Sequence, residues 1–236
     1  MKIKEKKISV LDKGYVRLRD AMGDDRTIAN AARVSFDKRT EKLNERDERL
    51  IRFLAREGHE SPFRHASLQF EVYAPLMIAR QWWKYVVGSD HTMDAWNESS
   101  RRYITENEEF YVPQADEWRS YPDNVKQGSG EPISGALGDL YTGALMLQIE
   151  KGERLYNEAL KDGIAPEQAR LFLPAYGMYV RWYWTASLQS VAHLIRQRTA
   201  SDAQYEFRQY AEAVKDLAFE HFPISLDALL TGGVNK

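Results

Sequence analysis

Apolar and polar residues change period several times along this chain, and each period predicts an element. Residues 8–19 alternate loosely and predict a short strand, while the Ala-rich residues 27–35 predict a helix. Leu50, Ile51, Phe53 and Leu54 recur at helical spacing within residues 48–56, and Gly58 follows as a natural stop. Ala66, Leu68, Phe70 and Val72 then alternate with Ser67, Gln69 and Glu71, the pattern of a half-buried strand in an antiparallel or edge position. Pro75 suits the first position of a helix over residues 76–87.

Small and polar residues interrupt the pattern at 88–94, and residues 111–131, rich in Pro, Asp, Gly and Ser, read as a long excursion. Leu140, Leu145, Leu147, Ile149 and Leu155 predict a long amphipathic helix over 137–162. A further helix opens at Ala165-Pro166 and closes at Leu173-Pro174. Residues 178–183 are aromatic and β-prone, and 187–198 and 202–219 are helical in pattern. The sum is mixed α and β content without an internal repeat, organised as one domain over 1–236 with an insertion near 87–95.

Composition removes several chemistries. The chain of 236 residues has no cysteine, which excludes disulfides, a thiolate nucleophile and cysteine-ligated zinc or iron–sulfur centres. A formal charge of −2 gives no basic surface for wrapping nucleic acid. No stretch is long and apolar enough for a transmembrane helix, so a cytoplasmic protein with neither membrane nor nucleic-acid partners is expected. The 6 Trp and 13 Tyr suit a flat ligand or a large subunit interface.

The densest chemistry lies between Arg80 and Tyr103. Gln81, Trp82, Trp83, Lys84 and Tyr85 are followed, after the interruption, by Asn97-Glu98-Ser99-Ser100-Arg101-Arg102. Aromatic planes stack on flat rings, while guanidinium forks, amides and hydroxyls bind phosphates and base edges. The competing account is an amphipathic helix with its tryptophans in the core and its cations in water. If helical, Asn97–Tyr103 places Glu98 and Arg102 on one face, either as a surface ion pair or with Ser100 and Arg102 on a phosphate and Glu98 orienting the guanidinium. His59 and His65 are spaced wrongly for a helical metal pair, and Pro62 lies between them, so no metal site is expected. Arg196, Gln197 and Arg198 with Asp202, Gln204 and Glu206 form a second polar cluster. Arg170 stands just before an apolar Leu-Phe-Leu-Pro run.

These blocks resemble the flavin-dependent thymidylate synthases, which methylate dUMP through FAD without a cysteine nucleophile. The resemblance runs through Ala32-Arg33-Val34-Ser35-Phe36, Gly58–His65, Ala79-Arg80-Gln81-Trp82, Asn97–Tyr103, Glu109–Pro113, Ala169–Pro174, and Arg198 with Ala203-Gln204-Tyr205-Glu206. It implies an α+β fold, an antiparallel sheet flanked by long helices, in a homotetramer with active sites shared between subunits. It also implies FAD as cofactor, NADPH as its reductant and 5,10-methylenetetrahydrofolate as one-carbon donor. Carried over by position, Gln81, Lys84, Ser100, Arg102, Arg170 and Arg198 look like dUMP ligands, with Arg198 and Ser100 catalytic. Ser35, Ser61, Lys84, Tyr85, His91, Glu98, Ser187 and His193 look like cofactor-side residues.

The departures lie on the flavin side. Where the family shows arginine-histidine-arginine, this chain has Lys84-Tyr85-Val86, and a lysine lacks the bidentate fork. His91, in the insertion, is the candidate to return the imidazole. Ser187, Gln189 and His193 fall where relatives place asparagine, arginine and asparagine, and Asp202 where a histidine is common. Two alternatives share these features: a flavoenzyme of this fold making another C5 change, such as hydroxymethylation, and a catalytically silent nucleotide-binding homologue.

Overall fold

Two antiparallel strands, β1 (Lys6–Val10) and β2 (Gly14–Met22), begin the chain, joined by a tight turn in which Leu11 has φ 57°. The loose alternation over residues 8–19 predicted one strand here. The turn escapes notice because it places a leucine in the left-handed region, with Gly14 already in the next strand. Gly14 is required there for space: a Cβ would lie 1.8 Å from the Tyr210 hydroxyl. The computed structural model describes residues 6–34, 38–87, 94–99, 109–122 and 128–232.

β2 pairs with β3 (Ser67–Pro75), β3 with β5 (Tyr179–Ser187), and β5 with β4 (Ala95–Glu98), giving the order β1-β2-β3-β5-β4 with every neighbour antiparallel. The strand expected at 66–73 is therefore central; Pro75 closes it rather than opening the helix, and helix α3 (Leu76–Val87) has the predicted bounds. Asn97 and Glu98 correct a second expectation. They close β4 rather than opening a helix, because pairing to Tyr183 and Trp182 on β5 supplies the backbone partners.

One sheet face is apolar and faces the helices. Val16, Leu18, Phe70, Val72, Trp182 and Trp184 are buried on it. Against it lie α3, α6 (Leu188–Arg198) and α7 (Tyr205–Phe219), and the C-terminal α8 (Pro223–Thr231) packs on α6 and α7 and on α1 (Asp25–Ala32) and α2 (Glu45–Arg56). Trp82 of α3 is the centre of this core. It meets Trp182 and Trp184 edge-on at 5.4 and 5.3 Å, and Phe207 of α7 stacks on it at 5.4 Å. Helix α8 was not predicted; buried Asp25 fixes its first turn by accepting from the Ile224 and Ser225 amides at 3.0 and 2.8 Å.

The predicted long helix exists as α4 (Gly135–Lys161), followed by the short α5 (Pro166–Ala169) and 3₁₀ turns at Arg170–Phe172 and Ala175–Gly177. Its apolar stripe is only partly covered in the subunit: Ile149 and Tyr156 pack on Phe110, Leu173 and Met178, but the other side of the helix is open. Leu140 is 65% and Leu147 67% exposed. Glycines allow its closest backbone approaches: a Cβ on Gly138 would lie 1.8 Å from the Ala115 carbonyl, and one on Gly152 2.7 Å from that of Phe172.

Candidate active site

Helices α3, α6 and α7 bring together side chains far apart in sequence. Gln81 and Tyr85 stand one turn apart on α3 and share a face. Arg198, the last residue of α6, donates from Nε to the Tyr85 hydroxyl at 2.6 Å. Its guanidinium lies 5.2 Å from the Tyr85 ring centre and 5.3 Å from that of Phe207. The arginine is thus held by one hydrogen bond and two ring faces while remaining only half-buried. Burial pushes the Tyr85 hydroxyl's pKa up and Arg198 pulls it back. Phe207 was not singled out from the sequence; its helical register on α7 was the available signal.

Gln81 donates from Nε2 to the Met77 carbonyl at 3.4 Å and to Gln204 Oε1, and Gln204 Nε2 donates to Glu206 at 2.8 Å. Gln204 and Glu206 also border a cavity of about 660 Å³, walled by Met77, Tyr111, Trp118 and Tyr176. Lys84 is exposed on α3. Of the other residues expected on the substrate, Ser100 and Arg102 lie outside the described residues. Arg170 is exposed at the tip of the α4–α5 unit and is not brought to Arg198 within the subunit.

A second group follows the exposed face of α6. Its N-terminus meets the 3₁₀ turn Ser61–His65, where Ser61 is exposed. Gln189 accepts from Arg64 Nε at 2.7 Å and donates to the Glu60 carboxylate, tying helix to turn. Ser187 is buried and caps α6, accepting from the Ser190 amide at 3.2 Å. Its hydroxyl therefore serves the helix. His193 is exposed midway along α6, with its ring 5.7 Å from that of Tyr85. Glu98, at the sheet edge, keeps an exposed side; desolvation pushes its carboxyl's pKa up, while the Trp96 indole N–H and the charge of Arg80 pull it down. Ser35 and His91 fall outside the described residues.

Beside the same turn, His65, Arg26, Asn30, Lys38 and Arg39 line a cavity of about 890 Å³. A run of polar side chains extends along α6 from this cationic cavity to Tyr85. Eleven residues of helix at 1.5 Å each span about 16 Å. No group of side chains suited to a metal ion is present among the described residues.

The family model described as "Thymidylate synthase complementing protein" matches residues 17–224. A flavin-dependent thymidylate synthase of Thermus thermophilus is 41% identical over 219 residues, covering 92% of this chain and 76% of the relative. That of Thermosipho africanus is 37% identical over 221 residues, covering 94% of this chain and 92% of the relative. Among solved structures, the UMP/dUMP methylase of Streptomyces cacaoi bound with 5-Br UMP superposes with a TM-score of 0.81 at 27% identity, covering 97% of this chain and 98% of that one. The family model spans most of the chain and the two synthases are 41% and 37% identical over nearly all of it, so the chain belongs to the flavin-dependent thymidylate synthase family.

Proposed function

We propose that this chain converts dUMP to dTMP, taking the carbon from 5,10-methylenetetrahydrofolate and using NADPH to reduce its FAD. The observation that carries the reading is Arg198, held by Tyr85 and Phe207 with part of its guanidinium open. A fixed cation beside the carbonyl edge of uracil stabilises the enolate-like charge that develops as the ring reacts at C5. The reacting carbon needs no protein thiolate, in keeping with a chain that has no cysteine.

Gln81 presents an amide to the same space, and Lys84 offers a charge at the rim for a phosphate. The α6 face from Ser61 through Gln189 and His193 to Tyr85, with Arg26, Lys38 and Arg39, would hold FAD. Bound there, FAD would supply the hydride that completes the methyl group. The Tyr85 and His193 rings border the helix face and limit water on that side.

The same reading takes the active form as a homotetramer with shared sites. Support comes from α4 and its neighbours: Leu140, Leu147, Leu171 and Tyr176 are 65%, 67%, 82% and 72% exposed, more apolar surface than water favours. Arg170 lies among them, so a subunit docked there would bring Arg170 towards another subunit's Arg198. The likeness to a methylase acting on UMP as well as dUMP favours one second reading, that the ribonucleotide is also accepted.

An anaerobic assay of the FAD-reconstituted protein with dUMP, NADPH and methylenetetrahydrofolate, with the product weighed by mass spectrometry, tests the proposal. A gain of one methyl group is expected. A hydroxymethyl product, or bound FAD with no nucleotide product, would refute it. Replacing dUMP with UMP tests the second reading.

A further inference from the structure

Tryptophans stand in single file from behind the cleft to the outer edge of the sheet. Trp82, three residues before Tyr85 on α3, meets Trp182 of β5 with ring centres 5.4 Å apart. Trp182 stacks on Trp96 of β4 at 4.7 Å with 19° between the planes, and Trp96 meets Trp83 at 5.5 Å. The first two rings are fully buried, Trp96 is partly buried and Trp83 is 42% exposed. Their indole N–H groups are engaged unequally. Those of Trp82 and Trp182 are buried without a partner among the described residues, whereas that of Trp96 donates to the Glu98 carboxylate. An oxidised indole settles where its N–H proton can leave. Trp82 and Trp182 offer no acceptor, so a positive charge created on them stays mobile; at Trp96 a base stands beside the N–H.

We propose that these tryptophans are an electron relay for the flavin: when bound FAD absorbs light, Trp82 gives it an electron, the vacancy moves through Trp182 to Trp96, and the Trp96 N–H proton passes to Glu98. The inference rests on the proposed reading that FAD reaches Tyr85 along α6. Excited flavin is a strong enough oxidant to take an electron from indole. Phe207 touches both Tyr85 and Trp82, at 6.4 and 5.4 Å, but is too hard to oxidise to hold the vacancy. The Arg198 guanidinium disfavours positive charge on Tyr85. It also repels the vacancy from the cleft, while Glu98 attracts it at the far end, an attraction that Arg80 partly offsets. Trp184, edge-on to Trp82 at 5.3 Å, is a dead end, because its N–H is also buried without a partner among the described residues. The step leaves a neutral radical on Trp96 and one more electron on the flavin. Return of that electron and of the Glu98 proton restores both. A hydrogen atom from an added thiol instead discharges the radical and leaves the flavin reduced.

The test is laser-flash absorption and electron paramagnetic resonance on the FAD-loaded protein without oxygen, each signal normalised to bound FAD. Wild type is expected to give a long-lived neutral tryptophan radical. Trp96→Phe should lose it while flavin fluorescence stays as strongly quenched, because the first electron comes from Trp82. Glu98→Gln removes the base and should shorten the radical's lifetime, and Glu98→Asp should restore part of it. Trp83→Phe should leave the radical in place. Under steady illumination with a thiol, wild type should accumulate reduced flavin faster than Trp96→Phe.

Glu98→Gln decides the matter if Trp96→Phe does not fold. With FAD bound, the absence of a tryptophan radical in wild type, a radical that survives Trp96→Phe, or a lifetime unmoved by Glu98→Gln would overturn the inference alone. Failure of wild type to bind FAD would overturn it together with the proposed function.

Discussion

Tyr85→Phe isolates the hydroxyl that holds Arg198. The bond it deletes runs from a charged donor at 2.6 Å, a type of contact that contributes about 1.5–3 kcal/mol when dry. Tyr85 and Arg198 are both half-buried, so water replaces part of the lost partner and about 1 kcal/mol is the better expectation. Ring contacts survive: the guanidinium stays over the residue 85 ring at 5.2 Å and over Phe207 at 5.3 Å, each contributing about 0.5–1 kcal/mol. Arg198 should remain in place but wander. At 1.4 kcal/mol per tenfold, kcat/KM for dUMP should fall roughly fivefold to tenfold. Initial rates across a dUMP range, with FAD occupancy measured in parallel and thermal unfolding as the control for folding, provide the assay. Wild-type kcat/KM in a folded, FAD-loaded Tyr85→Phe protein would refute the claim that Tyr85 positions Arg198. A loss of activity explained wholly by lost FAD would place Tyr85 on the cofactor instead.

Arg198→Ala removes the activating charge and should lower kcat by about 100-fold or more with circular dichroism unchanged; near-normal turnover would end its catalytic assignment. Asp25→Ala strips the acceptor from the Ile224 and Ser225 amides and should cost about 1–3 kcal/mol, read as a drop in the melting temperature; an unchanged melt would mean that α8 is held by packing alone. Tyr15 is largely buried and donates to Glu71 at 2.5 Å, and burial first, then that bond, raise its hydroxyl from 10.0 to about 12. Its folded value exceeds its unfolded one, so its contribution is complete below pH 10.0 and disappears as pH rises through about 12. Urea unfolding across that window should show a shallower alkaline loss in Tyr15→Phe than in wild type, and parallel curves would refute the linkage.

The parts of the fold legible in the sequence are those where burial is intramolecular and periodic. β3 is an example, since Leu68, Phe70 and Val72 all reach the core. Helix α6 is another, ending at the Arg198 singled out beforehand. The β1–β2 turn was hidden because it depends on Leu11 adopting a positive φ and on Gly14 making room for the Tyr210 hydroxyl, both set by distant packing. β4 was hidden because four residues pair only after β5 is in place. Helix α4 shows the converse. Its apolar stripe was plain and the helix formed as predicted, but Leu140 and Leu147 on that stripe stay exposed in the subunit, because the sequence encodes hydrophobicity and not whose surface covers it.

At the site itself, residue types were legible and their alliances were not. Tyr85 looked like a lost histidine on the flavin side, yet its hydroxyl is engaged by Arg198. The imidazole has not left the neighbourhood. His193, at a position where relatives place asparagine, carries one on α6 with its ring 5.7 Å from that of Tyr85. His193 thus sets an imidazole on the helix facing α3, where Tyr85 presents its phenol to Arg198. Neither alliance is written in the spacing of the residues along the chain, because both form only when α3 and α6 pack together.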